Sequence, residues 1–223
     1  MFYADTAVTD ARGKVVFEGR SREKCGKFAA VIPGPKFFEF LAVEEDIHIR
    51  TKAAQPAAFI EVVQSAENEL FYNYLGFLQD MRQKAAPFEA VLADSTSTES
   101  EQEAARASLI AMGDDVEIEQ RRIIHEDGDM LFARYLSMIV EPEIPEIPGI
   151  ANADELRYRM YRDAYWRRVD FADPRLVHDG SFNRILDQYI NQVIPQSPDT
   201  VFNEVVKLIE RSRGNDEMFK YIL

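Results

Sequence analysis

The hydrophobic period of this chain changes at about Ser65, and that change constrains the fold more than any other feature. Before it, short apolar runs alternate with breakers; after it, apolar residues recur at spacings of three and four. The first pattern predicts antiparallel strands: KVVFEG after the turn-like DARG, then KFAAVI, FFEFLAV beyond the breaker PGP, and DIHIRT. In the last of these, Ile47 and Ile49 point one way and Asp46, His48 and Arg50 the other. The chain is therefore expected to be α+β. A small N-terminal antiparallel β-sheet, sandwich-like, occupies residues 1–63, and a larger all-α helical bundle occupies 64–223.

Within the second part, SAENELFYNYLGFLQDMRQK places Leu70, Phe71, Tyr74, Leu75, Leu78 and Met81 on one helical stripe. Ser65 is the expected N-cap, and Glu67 and Glu69 sit in the first turn, where the helix dipole favours negative charge. A polar loop around DSTSTES leads into a long helix striped by Ala105, Leu109, Met112, Val116 and Ile123, with Gly113 as a candidate break. Further helices are expected over 130–140, 153–169 and 182–193, and from Pro198 to Arg213 with Gly214 as the C-terminal cap. PEIPEIPG, between the first two of these, reads as an extended connector, because proline fixes φ and removes a donor. The closing EMFKYIL reads as an apolar helix with no stop signal.

Asp and Glu outnumber Lys and Arg by 39 to 26, a formal charge of −13, and a field of that sign repels phosphate backbones and anionic headgroups. Nucleic acid is therefore not an expected partner, and no apolar run is long enough to span a bilayer. Cys25, the single cysteine, can form neither an internal disulfide nor a two-thiol redox cycle, and it is expected to act as a small apolar filler. His48, His125 and His178 are far apart, so no local metal signature exists, and no cofactor is expected. The G-x-S-x-G elbow, the phosphate loop and the dinucleotide fingerprint are all missing from the sequence. Acidic pairs such as Asp114 and Asp115 are explained by solubility, and a hydrolase built on dispersed carboxylates ranks last.

The stretch YRDAYWRRVDFADPRL, residues 161–176, concentrates rings and guanidiniums at a helix end. Tyr161, Tyr165, Trp166, Arg167 and Phe171 form the candidate partner or ligand surface, since Trp, Tyr and Arg supply most interface hot spots. On that view the chain is a stand-alone glycan- or peptide-binding module. The competing reading is a packed corner: Tyr161 and Tyr165 continue a stripe begun at Leu156, and Trp166 and Phe171 close over the helix end. Arg162, Arg167 and Arg168 would then pair with Asp163, Asp170 and Asp173 to fix the turn. The packed corner is the expected one, and no catalytic residue is expected.

Five ordered motifs carry a resemblance. They are Tyr165-Trp166; Asp170, Phe171, Asp173, Arg175 and Leu176; Leu186, Asp187 and Tyr189; Pro195, Gln196, Pro198 and Asp199; and Met218 to Tyr221. Together they resemble the helical region of unknown function upstream of the thioredoxin-like domain in envelope thiol:disulfide interchange proteins of Bacteroidetes-type bacteria. DTAVTDARGKVVFEG, with SAEN at 65–68 and FYNY at 71–74, similarly resembles the β-domain and junction that precede it. The resemblance implies a non-catalytic accessory region of an exported protein in the periplasm or cell envelope. It implies as partners the thioredoxin-like domain of the same parent chain and that domain's protein substrates, with membrane contact only through an anchor elsewhere. Because neither an export signal before Met1 nor a C-x-x-C pattern after Leu223 is seen, it further implies a piece of a longer chain.

Overall fold

The computed structural model describes residues 5–18, 25–34, 36–43 and 46–223. It is α+β: small antiparallel strand pairs lead into a series of helices. Strand β1 (Gly26–Ile32) pairs with β2 (Lys36–Ala42), and β3 (His48–Arg50) pairs with β4 (Glu61–Gln64). These are two separate two-stranded ladders rather than the single sheet expected. Gly34, with φ +91, makes the tight β1–β2 turn that the PGP breaker signals. KVVFEG is not a strand over its described residues: Lys14 to Glu18 are exposed and unpaired in any ladder, while Gly19 lies outside the described residues. Its preceding turn does form, with the Asp10 carboxylate accepting from the N–H groups of Arg12 and Lys14, both at 2.8 Å.

Helix α1 (Ala66–Ala93) starts at the expected cap: Ser65 Oγ accepts from Asn68 N–H at 3.2 Å. It runs nine residues past Lys84 and continues through Pro87, whose lost hydrogen bond is tolerable where the freed carbonyl faces water. Helix α2 (Glu99–Glu126) opens on a capping box between Thr98 and Glu101 and passes Gly113 unbroken. The two helices return on each other as a hairpin, each about 42 Å long at 1.5 Å per residue. Between Tyr74 and Ile123 only Ala105 is fully buried on either helix, and Leu75, expected in the stripe, is 40% exposed. The hairpin is thus anchored at its base and forms an arm beyond it.

Helix α3 (Leu131–Ile139) is the most buried element, because an apolar run with residues on every face can settle only inside. Its N-terminus has no cap of its own; Glu67 from α1 supplies one, accepting from the N–H groups of Leu131 at 2.5 Å and Phe132 at 3.1 Å. The proline segment carries neither helix nor strand, as its composition requires, turns at Pro148–Gly149 and leads to α4 (Ala153–Tyr165). That helix ends four residues before Val169, because Arg167 and Val169 form three-residue turns on Ala164 and Trp166. A 3-10 segment (Pro174–His178), helix α5 (Gly180–Gln188) with a π turn after it (Tyr189–Val193), α6 (Pro198–Ser212) and α7 (Asp216–Ile222) complete the bundle. Arg213, not Gly214, caps α6, and Gly214 does not take up the left-handed conformation of a glycine cap.

Candidate functional site

The residues singled out from sequence fall at the end of α4, and the structure separates them by exposure. Tyr165 is fully buried, Trp166 is 3% exposed, Tyr161 and Phe171 are half-buried, and Arg167 is exposed. Trp166 is enclosed by rings, with centroids of Tyr165 at 5.2 Å, Tyr189 at 5.1 Å, Phe171 at 5.7 Å and Phe182 at 6.4 Å. The hydroxyls of this cluster are tied to the surrounding elements. Tyr165 donates to the Ile185 carbonyl at 2.9 Å and Tyr161 to Glu141 at 2.7 Å. Burial, the Glu141 hydrogen bond and its charge all push the Tyr161 pKa up, so that phenol stays neutral.

The expected arginine–aspartate pairs within the stretch do not form. Asp170 and Asp173 instead receive Arg134 of α3, at 2.6 and 3.1 Å, and Asp173 also pairs with Arg175 at 2.7 Å. Arg168 turns inward, donating to the carbonyls of Val140 at 2.6 Å and Tyr165 at 3.1 Å while its guanidinium lies 4.4 Å from the Tyr165 ring centre. The reason is geometric. The chain leaves the helix after Tyr165, so helical spacing no longer sets which side chains meet.

Beside the buried corner lies a cleft of about 290 Å³ between the end of α4 and α6. Arg162, Asp163, Trp166 and Arg167 line one side, and Glu204, Lys207, Leu208 and Arg211 the other, with Tyr189 between them. Glu204 is buried yet charged: Lys207 and the Tyr189 hydroxyl reach it at 2.7 and 2.8 Å. Burial works to raise its pKa, but those two hydrogen bonds and the charges of Lys207 and Arg162 hold it below the usual carboxylate range. The same contact drives the Tyr189 pKa upward, after burial itself. Trp166 Nε1 makes no hydrogen bond of good geometry, although the indole N–H lies near enough to the Tyr189 oxygen to oppose part of that rise.

Sequence reasoning missed Glu204, Lys207 and Arg211 of this cleft. Their i, i+3 and i+7 spacing on α6 marks a polar helix face, which on its own is indistinguishable from a solvated one. His178 Nδ1 lies 2.6 Å from the Cys25 carbonyl oxygen, far from His48 and His125 in the chain. Among the described residues no group of three His, Cys, Asp or Glu side chains is arranged to hold a metal ion, and no helix is long and apolar enough to cross a membrane.

Fold and site together define an α+β protein with an aromatic corner and a basic cleft beside it. Compared with protein-family models, curated proteins and solved structures, the chain matches none.

Proposed function

We propose that this chain is a non-catalytic accessory region of an exported thioredoxin-like, thiol:disulfide interchange protein of the periplasm or cell envelope. In that role it positions or selects partners for a redox domain elsewhere in the parent. The motif order from Tyr165 to Tyr221 motivates the assignment, and one structural observation supports it: the rings that could grip a substrate are committed to packing, with Trp166 only 3% exposed. Among the apolar side chains left exposed are two on the α1–α2 arm, Ile110 and Ile118, at 66% and 65%. An arm that adds so little to the core costs folding stability without return unless something outside binds it.

Two measurements test the proposal. In a disulfide-reductase assay the chain shows no turnover; turnover that survives Cys25→Ser contradicts it. In a titration with the parent's thioredoxin-like domain, the paired substitutions Ile110→Asp and Ile118→Asp weaken binding by about tenfold or more, as loss of an apolar anchor does. Unchanged binding by that variant contradicts the role given to the arm.

A further inference from the structure

The charge distribution at the α4–α6 cleft runs against that of the chain. In a molecule of net charge −13, this cleft gathers Arg162, Arg167, Lys207 and Arg211 against Asp163 and Glu204. Glu204 is already held by Lys207 and the Tyr189 hydroxyl. Among the described residues, Arg162, Arg167 and Arg211 have no carboxylate within ion-pair distance, although Asp and Glu outnumber Lys and Arg by 39 to 26 over the chain. Arg211 is steadied instead over the Phe171 ring, 5.9 Å from its centre. Arg162 is close enough for its charge to help hold Glu204 ionised and to oppose part of the rise at Tyr189. Gathering like charges is unfavourable until an anion neutralises them.

A second, independent feature marks the same place. Trp166, which lines the cleft, carries a buried N–H that makes no well-formed hydrogen bond and has only a loose contact with the Tyr189 oxygen. At about 290 Å³ the cleft lies at the small end of ligand pockets, suiting a compact ion or a single charged group. Guanidiniums are preferred for oxyanions because their planar forks bond two oxygens at once.

We infer that this cleft binds a tetrahedral oxyanion of the phosphate or sulfate class, either as the free ion or as a group on a small molecule. Arg162, Arg167 and Arg211 neutralise it, and Lys207 adds a fourth positive charge while remaining bonded to Glu204. The inference does not rest on the accessory role proposed above, since it concerns a cleft rather than the arm.

Calorimetric titration of the full chain with inorganic phosphate, with sulfate, and with sodium chloride at matched ionic strength tests it. Phosphate or sulfate is expected to bind saturably and chloride not. Arg162→Gln and Arg211→Gln are each expected to weaken binding about tenfold or more, while Arg184→Gln, outside the cleft, leaves it unchanged. Phosphoserine and glucose 6-phosphate distinguish the sources: binding at least as tight as inorganic phosphate points to a carried group, and weaker binding to the free ion. Circular dichroism of each variant reports its fold, and Arg162→Lys, which keeps the charge, recovers part of the affinity. No saturable heat with phosphate or sulfate, an equal response to chloride, or full affinity in the folded Arg162→Gln, Arg211→Gln double variant overturns the inference.

Discussion

Asn68 and Leu41 exchange two hydrogen bonds, the Leu41 N–H donating to Oδ1 and Nδ2 donating to the Leu41 carbonyl, both at 2.8 Å. Both residues are fully buried. A side-chain amide thereby completes β2 as a neighbouring strand would, and fastens the first ladder to the first turn of α1. Removing it leaves a buried N–H and a buried carbonyl unpaired, so Asn68→Ala is expected to cost about 2–4 kcal/mol. Urea denaturation reads the change; a loss below about 0.5 kcal/mol would show that water replaces both bonds.

Glu67 caps α3 from another helix, and its carboxylate receives the two N–H groups that α3 itself leaves unserved. Glu67→Ala is expected to cost about 2–3 kcal/mol and to lower hydrogen-exchange protection at Leu131 and Phe132 first. Protection at those two amides equal to the unaltered chain contradicts the capping role.

Asp173 gives the fold a pH dependence. Burial tends to raise its pKa, but hydrogen bonds from the Arg175 side chain and N–H, with the charges of Arg175 and Arg134, outweigh burial and lower it. A carboxyl depressed in the folded state stabilises above its unfolded pKa of about 3.9, and that stability is lost as pH falls through the folded value. Asp173→Asn should therefore cost about 2–3 kcal/mol at neutral pH, with the penalty shrinking once the pH drops below about 3.9. Asp179 and Glu204 are shifted the same way, so they contribute to the same acid limb. A penalty that does not change with pH removes the ion pairs from the explanation.

Pro87 marks the weak point of the arm. Within α1 it offers no N–H to the carbonyl one turn earlier. Pro87→Ala is expected to stabilise the distal arm by about 2–3 kcal/mol locally, read as slower amide exchange around residues 83–93, with little change in global unfolding. Equal exchange in both chains places the limit on arm stability elsewhere.

Much of the architecture was legible in the residues because it follows from local chemistry. The period change at Ser65, the Ser65 cap and the breaking prolines each act within a few residues. What escaped depends on distant partners. KVVF has the composition of a strand but no ladder to join among the described residues, and propensity without a neighbour does not make a sheet. Glu67 and Asn68 look like solvated first-turn residues, yet they are buried because α3 and β2 arrive from 64 and 27 residues away. The pairing of Asp170 with Arg134, 36 residues upstream, likewise replaces a local pairing that spacing alone favours. In the candidate site the aromatic residues were visible by type, whereas the cleft needs α6 to face α4, a meeting with no local signature.

The single indole is a packing element, and acrylamide quenching of its fluorescence measures this directly. With Trp166 closed in by Tyr165, Phe171, Phe182 and Tyr189, quenching is expected to be several-fold weaker than for free tryptophan in the same buffer, and to rise to that level only on unfolding. Native-state quenching equal to that of free tryptophan would put the ring in open solvent and contradict the packed corner.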